Sequence, residues 1–421
     1  MDPPGLRGFR ETAFRTEHGV EIVKHQRTSP TSVPAMNRRR IHIGRIPAVG
    51  PMLVAAGLVL AACSSGGNAS PATTGAGSSV TSTTATFGLE AAFTPGSAAV
   101  NGSTDVYHCS LIDPHITTDR VLVASQFLPG VAAEVHHAIY FLIPPDQAAR
   151  ARELNAAGGG WGCFGAPLNP TGSFDNTVWL GGWAPGPTVV HRMPTGTGIS
   201  MPAGSLVVMQ IHYNLLAGDR PDNSRVQLVS VPAAGSHLKE LQTTKYVAPP
   251  DLPCPSGVTG PLCDRAASVA DLSARTGQQA ESFLGTIEKV CAPYHDAANP
   301  LVQGDLVTTT CTWNVGQTMH LLFAAPHMHL LGASERITLL SGGNETSLAD
   351  VAHYNFDNQH AQVVPSGLTA HAGDRIRVTC TYDPTLRQKL PQLRSLPARF
   401  VTWGDGSSDE MCLGTVGWTA T

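Results

Sequence analysis

The sequence predicts an all-β protein built from two antiparallel β-sandwich domains, and three observations predict it. Strand-like apolar runs recur along the chain, Gly and Pro punctuate them at 43 and 32 positions of 421, and only one stretch reads as a helix. The length suffices for two domains that each bury a core. A net charge of -4, with 14% charged residues, gives no electrostatic case for a nucleic-acid partner.

The N-terminal region reads as targeting rather than fold. Arg38, Arg39, Arg40 and Arg45 precede an apolar run from about Ile46 to Ala62 that ends in Leu60-Ala61-Ala62-Cys63, a pattern that resembles a bacterial lipoprotein signal with Cys63 as the lipidated residue. A transmembrane anchor is the weaker alternative, because the run is short for a span of about 20 residues and is broken by Pro47, Gly50 and Pro51. Met36 stands where such a signal begins, so residues 1–35 read as an overcalled start and 36–62 as the signal. Residues 63–86 are rich in Ser, Thr, Gly and Ala and read as a flexible tether, since they lack the apolar surface that would offset ordering. The expectation is an exported lipoprotein anchored to the outer face of a membrane.

A first sandwich is expected over 87–231. Its strand candidates are Thr104–Leu111, Arg120–Leu128, Glu134–Ile143, Val178–Trp183 and Leu206–Leu215, separated by turn clusters such as Leu128-Pro129-Gly130. The second, over 232–421, begins with an irregular segment in which Ala270–Val290 is the helix candidate. Strand candidates follow at Val307–Trp313, Gln317–Ala325, Glu335–Leu340, Arg375–Thr381, Phe400–Trp403 and Met411–Trp418.

With Cys63 set aside, Cys109, Cys163, Cys254, Cys263, Cys291, Cys311, Cys380 and Cys412 remain. Eight cysteines in an exported chain read as four disulfides, which removes them as thiolate ligands. Cys254 and Cys263 would close a Pro/Gly loop and Cys291 with Cys311 would tie the helix end to the next strand, although spacing alone leaves the connectivity open.

Histidine is in excess, at 17 residues. His327 and His329 share a face if they lie on one extended strand, which makes a two-armed chelate while Met328 turns away. A buried, hydrogen-bonded histidine pair is the plainer reading. Met411, beside Cys412, is the candidate third donor, and its thioether would favour Cu(I) over Zn, Mg or Ca; core filler is the usual fate of a methionine. In the first domain His136 and His137 are adjacent, so both reach one ion only if the strand bulges or ends there. His212, in the apolar run Met209–Asn214, would complete three imidazoles.

Taken in order, His136-His137, Gly182-Trp183-Ala184-Pro185-Gly186, Gln210-Ile211-His212-Tyr213, Pro326-His327-Met328-His329-Leu330-Leu331-Gly332 and Asp409-Glu410-Met411-Cys412 resemble the copper type II, ascorbate-dependent monooxygenases. These are the peptidylglycine α-hydroxylating and dopamine β-monooxygenase-like enzymes. The resemblance covers roughly Thr104 to Trp418. It implies two jelly-roll-like sandwiches with one copper on each, facing across a solvent-filled cleft. His136, His137 and His212 match the ligands of the electron-transfer copper, and His327, His329 and Met411 those of the oxygen-binding copper. It pairs Cys109 with Cys163 and Cys380 with Cys412. Ascorbate or another one-electron donor, O2 and a small-molecule substrate are the implied partners.

Two positions depart from the peptide-amidating enzyme. An arginine and a tyrosine that hold the peptide carboxylate are replaced here by Ala325 and Thr415, so a glycine-extended peptide is not the expected substrate. His108, His115, His191, His320, His353, His360 and His371 match no ligand; His108 and His320 are the candidates for fixing a ligand ring, and Gln210 for a supporting or electron-path role beside the first copper. The expected activity is hydroxylation of a C–H bond. Against it stand a non-catalytic copper-binding or copper-buffering surface protein and a structural β-sandwich with decayed sites. A zinc hydrolase is disfavoured by the methionine and by the lack of a general base beside the paired histidines.

Overall fold

In the computed structural model the described residues are 81–98, 105–163, 166–168, 177–184, 190–276, 280–292, 300–404 and 406–421. The expected signal, Cys63, most of the tether, and Pro185 and Gly186 lie outside them. The protein is all-β: several largely antiparallel sheets with few helices. Residues Gly75–Thr421 form one compact unit.

In the first sandwich one sheet orders the strands Thr83–Gly88, Arg225–Pro232, Arg120–Leu128, Thr197–Met201 and Lys239–Glu240, with His191–Arg192 also pairing on Arg120–Leu128. The facing sheet orders Trp161–Gly162, Asp105–Ile112, Leu206–Asn214, Val135–Ile143 and Val178–Trp183. Leu206–Asn214 is central and buried on both faces, which explains its unbroken apolar run. Val207, Met209, Ile211 and Tyr213 enter the core between the sheets, while Leu206 and Val208 pack with Cys109, Cys163 and Ala148 on the other side. By the period of two, Gln210 and His212 share that second face.

The second sandwich sets the sheet Gln242–Val247, Leu413–Thr419, Met319–His327 and Gln362–Val363 against the sheet Leu301–Gln303, Leu306–Asn314, Arg375–Tyr382, Gly332–Ser341 and Asn344–Val351. Leu413–Thr419 is wholly buried. Gly417 has to lack a side chain, since a Cβ there would lie 2.1 Å from the Phe323 ring on its cross-strand partner. Leu322 and Phe323 pack against the core of the first sandwich, and the Lys245 ammonium lies 4.5 Å over the Trp179 ring. These contacts join the two sandwiches.

Four disulfides form: Cys109–Cys163, Cys254–Cys263, Cys291–Cys311 and Cys380–Cys412. They fit an oxidising, exported setting. Among the described residues no helix is long and apolar enough to cross a membrane. The single helix expected over Ala270–Val290 is instead two, Arg265–Thr276 and Ala280–Cys291. Short helices at Ala148–Leu154 and Leu386–Lys389 went unread, being too brief to show a 3.6-residue period.

Candidate metal centres

The first cluster depends on an irregularity in the ladder. Val135–Ile143 pairs with Leu206–Asn214, but the register slips between Val135 and His137, leaving His136 as the extra residue. A bulge frees adjacent side chains from pointing to opposite faces. His137 lies directly across from His212. One nitrogen from each of His136, His137 and His212 lies within 4.8 Å of the others; the Nδ1 atoms of His136 and His137 are 3.2 Å apart and those of His137 and His212 3.3 Å. A proton on His137 Nδ1 can serve only one neighbour, whereas a cation would accept all three lone pairs. His136 Nε2 is buried without a hydrogen-bond partner.

His212 is fixed on two sides. Tyr107, its cross-strand neighbour, stacks on the ring at 4.1 Å, and Nε2 lies 2.7 Å from Asp105 Oδ1. A carboxylate there accepts, so the proton sits on Nε2 and Nδ1 is left as a donor to metal. Burial raises the Asp105 carboxyl, but the hydrogen bond and charge of His212 and the Ser407 hydroxyl outweigh it and hold the group below its usual value.

The second cluster sits at a strand end. His327 closes the strand Met319–His327, and His329 lies beyond it, just ahead of the turn at Leu330 and Leu331. The expected placement of both on one extended strand is thereby corrected. The turn is dictated by the buried Glu410, whose Oε1 accepts from Leu331 N–H at 2.6 Å and whose Oε2 accepts from both His329 N–H at 3.0 Å and Met411 N–H at 3.2 Å. The two rings meet nearly at right angles, centroids 5.2 Å apart. His327 Nδ1 lies 2.6 Å from Gln359 Oε1 and His329 Nδ1 3.4 Å from the Asp409 carbonyl. Both partners accept, which puts the protons on Nδ1 and leaves Nε2 free on each ring.

Met411 is 7% exposed and is part of the hydrophobic core of the second sandwich. It precedes the strand Leu413–Thr419 rather than opening it. Its N–H is bound by Glu410, its carbonyl accepts from the Tyr382 hydroxyl at 3.1 Å, and Cys412 beside it is tied to Cys380. The backbone is thus pinned on both sides.

One half-buried aromatic ring reaches both clusters. The Phe356 ring stacks on His136 at 4.3 Å and meets His329 edge-on at 5.9 Å. The segment carrying Phe356 also supplies Gln359 to His327, and the Tyr354 hydroxyl to the backbone N–H and carbonyl of Met328.

Burial holds the imidazoles of His136, His137, His327 and His329 below their ordinary value. Burial, with the neighbouring His212, takes His136 down to about 3; burial first and other histidines second put His137 and His329 well below 6.5, and burial lowers His327. Neutral rings offer lone pairs without a competing proton. His108 is likewise lowered by burial to about 4. Groups depressed in the fold bind fewer protons than in the unfolded chain, so their stability is complete above pH 6.5 and is lost as the pH falls, at up to about 1.4 kcal/mol per pH unit for each. Glu410, pushed up to about 8 by burial against its three backbone donors, opposes this together with Glu335 and Asp409, also raised by burial, three carboxyls against these five imidazoles. Metal-free protein is therefore expected to unfold at lower urea at pH 5 than at pH 7, and an unmoved midpoint would contradict the burial of these rings.

Three expected supporting residues have other work. His108 stacks on Phe93 at 3.7 Å, His320 Nδ1 lies 3.1 Å from Thr369 Oγ1, and Gln210 Nε2 lies 3.5 Å from Cys163 Sγ. The contacts that orient the clustered rings come instead from Asp105, Gln359, the Asp409 carbonyl and Glu410. Sequence reasoning missed Asp105, Phe356 and Gln359; the acidic neighbour of Met411 was in plain view, but nothing in one chain tells an N–H acceptor from a surface carboxylate.

No curated protein matches the chain. Among solved structures, a peptide-N(4)-(N-acetyl-β-D-glucosaminyl)asparagine amidase is similar at 8% identity over 80% of this chain and 96% of its own, with a TM-score of 0.26. The Saccharomyces cerevisiae allantoicase is similar at 7% identity over 76% and 79%, with a TM-score of 0.19. Likenesses this slight carry no argument. The model of the copper type II ascorbate-dependent monooxygenase C-terminal domain matches residues 303–417, the stretch that holds His327, His329 and Met411. Residues 303–417 are thereby identified as a C-terminal domain of the copper type II ascorbate-dependent monooxygenase family.

Proposed function

We propose that this chain hydroxylates a C–H bond of a small organic substrate, holding one copper on His136, His137 and His212 and a second on His327, His329 and Met411. The observation that carries the reading is the convergence of His136, His137 and His212, beside the His327–His329 pair, with His212, His327 and His329 each held by a partner on the far side of the ring. The donor sets suit copper: three nitrogens at one centre, two nitrogens and a soft thioether at the other. Copper, when bound, supplies single electrons, and converting R–H and O2 to R–OH and H2O takes up two electrons and two protons from outside the substrate. Two one-electron sites match that demand.

The chain's own groups prepare the chemistry. Asp105, Gln359 and the Asp409 carbonyl fix which ring nitrogen is bare and where it points. Phe356 touches His136 and His329 and so bridges the two clusters. Ala325 and Thr415 face each other across the ladder and supply neither an arginine nor a tyrosine for a carboxylate, while Lys245 pairs with Thr415 on the next strand. Ascorbate is the donor of the family, and another one-electron donor would serve the same step. Lipidation at Cys63 would hold the enzyme at the outer face of a membrane.

A copper store is the rival reading, favoured by how little of His136 and His329 is exposed, 8% and 3%. Purified protein loaded with copper and supplied with ascorbate and candidate substrates is expected to bind two ions per chain and to consume O2 over many turnovers. Uptake that stops at a stoichiometric amount would identify a store.

A further inference from the structure

The clusters belong to different sandwiches, yet one side chain joins them. Asp105, on the first strand of the sheet that carries His212, accepts from His212 Nε2 at 2.7 Å and, through the same Oδ1, from the Ser407 hydroxyl at 3.1 Å. A carboxylate oxygen has lone pairs for both donors. Ser407 is 6% exposed and comes from the second sandwich, four residues ahead of Met411 and two ahead of the Asp409 carbonyl that faces His329.

The segment around Ser407 has little slack. Asp409 N–H binds the Gly406 carbonyl at 2.9 Å, the Asp409 carboxylate meets Arg275 at 3.1 Å, and Arg387 Nη1 donates to the Ser408 carbonyl at 2.9 Å. Glu410 then clamps Met411 and His329 to one oxygen. A shift of the His212 ring therefore moves Asp105, and through Ser407 it moves both the carbonyl that orients His329 and the backbone of Met411. Phe356 also touches both clusters, but a ring contact has no directional demand and sets no tautomer.

We infer that Asp105 is a positioning residue for both metal centres, so that filling the three-histidine site tightens the second site and the reverse. Thermodynamic linkage makes this coupling reciprocal. The inference rests on the proposed two-copper reading and goes beyond it by assigning a side chain, and a coupling, to no single site.

Cu(I) affinities of both sites in the full chain, measured by competition with a chromophoric chelator, test it together with the Cu(II) electron paramagnetic resonance spectrum and amide hydrogen exchange of the metal-free protein. Asp105→Asn is expected to weaken the three-histidine site about 10- to 100-fold and to alter its hyperfine splitting. Ser407→Ala leaves every ligand in place; it is expected to weaken both sites about fivefold and to speed exchange at residues 406–412, while Ser407→Thr restores the wild-type values. Two-site binding with constants and exchange unchanged in Ser407→Ala would overturn the coupling alone. Wild-type protein that binds no copper would overturn the metal reading and the coupling with it.

Discussion

Replacing Met411 by Leu is expected to leave one tightly held copper per chain instead of two and to bring oxygen consumption to background. Leu keeps the volume of the buried side chain and removes its sulfur, so the loss would report the thioether rather than a cavity. Met411→Ala should do the same to the metal while adding about 2–5 kcal/mol of destabilisation. The reasoning is the softness of the donor: a thioether contributes most to Cu(I), and two imidazoles alone hold that ion less well. Elemental analysis and a Cu(I) competition titration read the result. Two coppers held with wild-type Cu(I) affinity in the Leu variant would show that this methionine only fills the core.

The second large effect is expected at Glu410. Its carboxyl is fully buried and accepts three backbone N–H groups, those of His329, Leu331 and Met411. Glu410→Ala would strand all three in a dry interior at about 1–3 kcal/mol each, a total on the order of 3 kcal/mol or more. The turn that presents His329 would lose its anchor at the same time, so affinity at the second site should fall along with stability. Urea unfolding of metal-free protein separates the two consequences, since it reads the fold without the ion. A variant as stable as wild type would mean that water or backbone rearrangement replaces the carboxylate.

Much of the fold is legible in the chain because each strand carries its own signal. Arg120–Leu128 and Val178–Trp183 form over the expected residues, and Leu206–Asn214 differs by one, since apolar runs bounded by Gly and Pro leave few alternatives. Short edge strands such as Lys239–Glu240 and Thr369–Ala370 have too few residues to show a period. The stretch that holds Arg265–Thr276 and Ala280–Cys291 reads as one element because its apolar pattern is continuous in the sequence.

The sequence by itself determined the residue types on which the chemistry depends, their order, and the oxidised setting implied by eight paired cysteines, because donor chemistry is local to each side chain. It also named the adjacency of His136 and His137 as a problem that a bulge would solve. Only the tertiary structure decided which nitrogen of His212, His327 and His329 is free, that His329 lies beyond the strand rather than on it, and that Phe356 and the Asp105–Ser407 link connect the two sandwiches. Those features depend on residues up to 302 positions apart in the chain, and contacts at that separation leave no periodic trace in either partner's neighbourhood.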